Sequence, residues 1–125
     1  MTADSQSASA CLIVGATGGI GSALARRLAS DGVPLVLAAR NEERLANLAQ
    51  ETGGRTIATD ATRFECVDSL MKEAGEVDRV VNLVGSILLK PAHMTSEDEL
   101  RETLNLNLVS AFAVVRAAAK SMRKQ

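Results

Sequence analysis

The sequence predicts an α/β fold of three layers, a parallel sheet with helices on both faces. Two observations predict it. Short apolar runs alternate strictly with longer stretches of helical spacing along the 125 residues, and such alternation needs crossover connections between parallel strands. The first apolar run also ends in a glycine-rich loop that leads straight into a helical pattern, the local signature of a strand–loop–helix turn.

The elements follow in order. Residues 1–10 are small and polar and read as a flexible N-terminal tail, leaving 11–125 as one folded unit. Cys11-Leu12-Ile13-Val14 is a buried strand. Ile20, Leu24 and Leu28 give a helix over 20–30. Pro34 to Ala39 is the second strand, with proline tolerable at its first position. Asn41 caps a helix carrying Leu45 and Leu48, and Gly53-Gly54 ends it. Thr56 to Thr59 is a weaker strand, and a helix runs from Phe64 to Ala74. Val80 to Val84 is the fourth strand, stopped by Gly85. Ser96 and Glu99 have capping-box spacing at the head of a long helix reaching about Arg123. Right-handed crossovers favour the strand order 3-2-1-4.

Composition excludes several functions. Net charge is -1 without a basic block, whereas a nucleic-acid surface needs clustered Lys and Arg. No apolar run approaches the roughly 18 residues of a membrane span. Cys11 and Cys66 lack metal-ligand spacing and read as reduced thiols, and His93 stands alone in a loop, so no metal site is expected. A cytoplasmic location is the expectation. The chain has no Tyr and no Trp, so any mechanism that needs a tyrosine cannot run on these residues alone.

The chemistry lies in Gly15-Ala16-Thr17-Gly18-Gly19-Ile20-Gly21. A helix N-terminus presents unpaired N–H groups and partial positive charge, and phosphate binds there when no side chain blocks the backbone. The loop lacks the Lys-Ser/Thr of a P-loop. It fits both GxxxGxG and GxxGxxG spacings, in the setting of a Rossmann-like dinucleotide-binding half-domain. The candidate contacts in the loop are Gly15, Thr17, Gly18, Gly19, Ile20 and Gly21. An acid some 20 residues further on usually holds the adenosine ribose. Here Arg40 and Asn41 stand at the end of the second strand, and a guanidinium suits a 2′-phosphate. NADP(H) is therefore preferred over NAD(H). The competing reading of Arg40 is a solvated strand-end charge, and that of the loop is a tight turn without a ligand.

With these residues in view, the chain resembles the short-chain dehydrogenase/reductase family from about Cys11 to Met122. The family's Thr-Gly-x-x-x-Gly-x-Gly matches Val14 to Gly21 except at its first position. Its adenine-binding aspartate matches Asp60-Ala61-Thr62, and its Asn-Asn-Ala-Gly corresponds to Asn82-Leu83-Val84-Gly85. Its helix asparagine matches Asn107, with Phe112 beyond. The resemblance implies adenine contacts at Asp60 and Ala61, cofactor contacts at Asn82 and Gly85, and a catalytic legacy at Asn107, which holds a water in the family's proton relay. Asp60 is equally readable as a helix cap, Asn82 as a backbone clamp and Asn107 as a simple polar contact. Val14 and Val84 put apolar groups where the family has a polar link, and Val84 threatens to crowd the ribose pocket.

The family's catalytic serine and Tyr-x-x-x-Lys have no counterpart here. The resemblance thus implies either a truncated reductase lacking the later strands of the full fold, or a shortened relative. The expected function is the NADP(H)-binding part of an oxidoreductase acting on an unknown carbonyl or alcohol substrate, inactive alone. The alternative is a noncatalytic cofactor-binding or protein-interaction module. The last helix carries Leu104, Leu106, Leu108, Phe112, Val114 and Val115 on more than one face. That predicts a homo-oligomer, or another association through this helix and the open edge of strand four.

Overall fold

A computed structural model describes residues 9–123. Most of the predicted tail, 1–10, lies outside the described residues. Four parallel strands, β1 (Cys11–Val14), β2 (Leu35–Ala39), β3 (Arg55–Ala58) and β4 (Arg79–Asn82), form one sheet in the order β3-β2-β1-β4. The register sets Cys11 beside Leu35 on one side and Arg79 on the other, and Val14 beside Ala38 and Asn82. The helices α1 (Gly19–Ser30) and α2 (Glu42–Thr52) cover one face. The opposite face carries α3 (Phe64–Ala74) and α5 (Ser110–Met122). Before α5 come α4 (Glu97–Leu104) and a π-helical segment, Asn105–Val109.

The pleat divides the apolar runs between two cores. Leu12, Val14, Val36 and Ala38 pack with Val67, Leu70, Ala113 and Val114 under α3 and α5. Cys11, Ile13, Leu35 and Leu37 pack with Ala25, Leu45 and Leu48 under α1 and α2. All of β1 and β2 is buried, which is why these strands read as continuous apolar runs rather than alternating ones. Both cysteines are free thiols, Cys11 buried and Cys66 half-buried. Burial pushes the Cys11 thiol up.

Local signals formed as expected at several helix ends. Asn41 Oδ1 accepts the Arg44 amide at 2.9 Å, and Ser96 Oγ accepts the Glu99 amide at 3.1 Å. Gly53 closes α2 with φ 70°, a left-handed conformation that favours glycine. Arg26 on α1 pairs with Glu51 on α2 at 2.6 Å, tying these two helices together at the surface.

Three expectations need correction. β4 ends at Asn82 rather than Val84, because Asn82 Oδ1 turns forward to accept the Val84 amide at 3.2 Å. β3 begins and ends one residue earlier than predicted. It is an edge strand with only Ile57 buried, so periodicity marks its ends poorly. The long last helix is broken by the π segment, in which the Ser110 amide donates to Asn105 O, five residues back.

Candidate functional site

A cleft of about 430 Å³ opens where the chain reverses direction across the sheet, beyond the C-terminal ends of the strands. In open α/β sheets this switch point is the general location for ligands. Its floor is the glycine loop and its walls are the segments following β2, β3 and β4.

The loop's glycines serve different ends. Gly15 has φ 82°, and a Cβ there would lie 2.8 Å from the Leu83 carbonyl carbon, so the backbone after β4 crosses directly over it. At Gly21 a Cβ would overlap the Gly15 carbonyl oxygen, so α1 packs against the loop without room for a side chain. Gly19 has nothing within 4 Å of its would-be Cβ, and Gly18 only an ordinary contact of 3.6 Å. No packing among the described residues requires glycine at these two positions. They bare the α1 N-terminus, which has no side-chain cap and no acidic residue in its first turn. By contrast, α2 and α4 have both. The amides of the first turn of α1 are therefore left for an anion.

Around this floor the structure gathers Gly15, Thr17, Gly18, Arg40, Asn41, Asp60, Ala61 and Gly85. Gly19, Ile20 and Gly21 continue into α1, and Ile20 projects outward, 74% exposed. Asn82 stands below the cleft as a backbone clamp on Val84. Val84 both lines the cleft and packs with Val14 into the core under α3 and α5, so apolar contact fills the place of a polar link. Asn41 spends its carbonyl oxygen on capping α2.

Asp60 is not the cap of α3, which is Arg63. Asp60 Oδ1 instead accepts the Thr62 hydroxyl at 2.6 Å and the Thr62 amide at 3.0 Å. The Thr62 hydroxyl, aided by the Thr62 amide, Arg40 and Arg63, holds the Asp60 carboxyl below its ordinary range despite partial burial. Thr59 to Thr62 line the cleft.

Asn107 sits in the π segment at the cleft's edge. Its Oδ1 accepts the Ser86 amide at 3.1 Å, and its Nδ2 donates to Thr103 O at 2.9 Å and to Ser86 Oγ at 3.3 Å. A Cβ at Gly85 would lie 3.0 Å from Asn107 Oδ1, so this glycine admits the asparagine. π segments inside α-helices are frequent at functional sites. Here the widened turn accompanies a side chain that bonds back to its own helix and across to the chain after β4.

Among the cleft residues that the sequence did not single out are Arg44 and Ser86. Arg44 lies in the first turn of α2, and only the turn at Arg40-Asn41 swings that face over the cleft. Ser86 gains its partner 21 residues away in sequence. For Arg44, its place three residues after the cap was the one available signal. His93 is exposed, and no cluster of metal-ligating side chains occurs among the described residues. Nor, among them, is any helix long and apolar enough to cross a membrane.

The family model for short chain dehydrogenases matches residues 9–125. The chain belongs to this family. It is 34% identical over 121 residues to an uncharacterized oxidoreductase of Staphylococcus aureus (strain MW2), covering 91% of this chain and 52% of that protein. A short chain dehydrogenase of Mycobacterium smegmatis superposes with a TM-score of 0.86 at 30% identity, over 94% of this chain and 52% of that one. A variant of actinorhodin polyketide ketoreductase determined with NADPH superposes with a TM-score of 0.85 at 25% identity, over 94% and 48%. This short-chain dehydrogenase chain thus spans about half the length of the relatives it matches. The family implies a nicotinamide cofactor, and the cleft fits one: the cradle at Gly18-Gly19 is one that side chains would fill, over an uncapped helix N-terminus.

Proposed function

We propose that the chain is the NADP(H)-binding part of an oxidoreductase that interconverts a carbonyl and an alcohol, in the cytoplasm. The observation that carries the NADP(H) preference is Arg40. It lines the cleft at the end of β2 and makes no ion pair with a carboxylate among the described residues. A carboxylate there would accept from ribose hydroxyls and repel a 2′-phosphate, whereas a guanidinium attracts the dianion. In this reading the Gly19 and Ile20 amides at the start of α1 hold the pyrophosphate, the Gly18 amide being engaged by the Gly15 carbonyl, while Arg40 and Asn41 hold the adenosine ribose, and Asp60 and Ala61 the adenine. Asn82 and Gly85 shape the chain beside the far ribose.

When bound, the cofactor supplies or accepts a hydride. Asn107, kept at the edge of the cleft by Ser86 and Thr103, orients a water at the reacting end. The chain has no tyrosine, so its own residues offer no phenol to move the substrate proton. Absence of such an acid–base group costs about 10²–10⁴ in rate, and turnover by these 125 residues alone is expected to be negligible.

The test is calorimetric titration with NADPH and NADH, on the chain and on Arg40→Asp. Tighter binding of NADPH, with the ratio reduced at least tenfold in the variant, supports the reading. An unchanged ratio refutes the role of Arg40. A second reading, a noncatalytic module that associates with another protein or a second copy, draws on the exposed side chains of Leu104, Leu108, Phe112 and Val115. These follow one another at intervals of three or four along α4, the π segment and α5, and β4 is an edge strand of the described sheet.

A further inference from the structure

The pairing of arginines across the surface separates one more residue from the rest. The chain has ten arginines. Arg26, Arg27, Arg63, Arg79, Arg101 and Arg116 each pair with a carboxylate. Arg55 donates to the Ala74 carbonyl at the end of α3. Among the described residues, Arg40, Arg44 and Arg123 have side chains with neither kind of partner, and Arg123 is at the far end of α5. The other two both line the cleft, together with Thr17 of the glycine loop.

Arg44 has a potential partner nearby. Glu51 is two turns further along α2, and it lines the same shallow hollow as Arg44 and Thr17. Glu51 is engaged elsewhere. Its carboxylate takes the Arg26 guanidinium through both oxygens, at 2.6 Å from Nε and 3.5 Å from Nη2, and the bond to Arg26 holds the Glu51 carboxyl below its usual range. A side chain that is held by α1 is withdrawn from α2.

We propose that Arg44 is a second guanidinium for the adenosine 2′-phosphate, and that the Arg26–Glu51 pair is a positioning device that keeps Glu51 from neutralising it. This rests on the NADP(H) reading above and extends it to residues outside the glycine motif and the strand end. Two guanidiniums flanking a dianion share its charge and its three oxygens, a geometry suited to paired hydrogen bonds. A carboxylate on Arg44 would both occupy its donors and repel the incoming phosphate.

The experiment is calorimetric titration of the 125-residue chain with adenosine 2′,5′-bisphosphate and with 5′-ADP, which need no nicotinamide pocket. The wild-type chain is expected to prefer the bisphosphate. Arg44→Gln lowers that preference about tenfold, equivalent to about 1.4 kcal/mol. Arg26 lines the hollow beside Arg44 but not the cleft; Arg26→Met lowers the preference partway, and Arg26→Met with Glu51→Gln restores it. Restoration by a second substitution is not what a merely structural role of Arg26 produces, and circular dichroism melts of each variant verify that it is folded. If the wild type does not discriminate, both the NADP(H) reading and this inference fall. If the wild type discriminates and Arg40→Asp abolishes it while Arg44→Gln does not alter it, this inference alone falls. If Arg44→Gln acts but Glu51→Gln fails to rescue Arg26→Met, the positioning role of the ion pair is overturned.

Discussion

Gly19→Ala and Gly21→Ala introduce the same methyl group two residues apart in α1, and the structure assigns them opposite consequences. Alanine is favoured over glycine in a helix interior by about 0.8–1 kcal/mol, a gain that applies in full at Gly21 and only in part at Gly19, the first residue of α1, so propensity alone predicts that neither variant loses stability. At Gly21 the new Cβ would overlap the Gly15 carbonyl oxygen and lie 2.9 Å from the Ala16 Cα. Both obstacles are backbone, and Ala16 is fully buried, so neither can swing aside as a side chain would. Forcing a methyl group into such a contact costs about 1–3 kcal/mol beyond the propensity gain. At roughly 4 °C per kcal/mol for a domain of this size, Tm falls by about 4–12 °C. At Gly19 nothing lies within 4 Å, so Tm stays level or rises by a few degrees. Cofactor affinity behaves in the reverse sense, since the Gly19 methyl group stands over the amides offered to the pyrophosphate and should weaken NADPH binding at least tenfold. Thermal melts by circular dichroism and calorimetric titration of both variants read the two effects separately. A Gly21→Ala chain that melts with the wild type, or a Gly19→Ala chain that loses stability, would refute this division of the loop into packing and binding glycines.

Asp60 gives a pH prediction. Its folded pKa is depressed, chiefly by the Thr62 hydroxyl, so its contribution is present above the unfolded value near 3.8 and is lost as pH falls through the folded value. Acid melts should show this loss, and Asp60→Asn should remove that pH dependence. Asn107→Ala deletes the acceptor of the Ser86 amide, at about 1 kcal/mol, while alanine's helix propensity returns about half of that. Global stability should therefore change little, and amide exchange at Ser86 should accelerate several-fold. Leu108 is 62% exposed, so Leu108→Asp should leave stability within about 0.5 kcal/mol of wild type. Any self-association by light scattering should be abolished in that variant if this helix face mediates it.

Much of the fold was legible because its causes are local. The buried strands announced themselves as apolar runs, since a parallel sheet covered on both faces demands apolar side chains on both sides of the pleat. Asn41, Ser96 and Gly53 marked helix ends because a cap acts on amides three residues away and a left-handed turn needs only its own residue. The weaker readings were those whose cause lies outside the window. Continuation of β4 was expected from the apolar character of Leu83 and Val84, and the Asn82 side chain ended the strand instead. An unbroken last helix was expected from its spacing, and Asn107 sits in a widened turn while bonding to Ser86 across the cleft.

The sequence by itself determined the order of elements, the strand order 3-2-1-4, the anion-ready loop and most of the residues that surround it, because each of these follows from periodicity, handedness and turn chemistry along the chain. Only the tertiary structure decided what each residue is free to do. It made Gly21 a packing glycine and Gly19 an open one, spent the Asn41 oxygen on a helix cap, and turned Asp60 onto Thr62. It also drew Glu51 to Arg26 and left Arg44 facing the cleft. The physical reason is that hydrogen bonds and ion pairs are short-ranged and saturable: a donor already engaged across the fold is unavailable to a ligand, and which donors are engaged depends on neighbours far away in sequence.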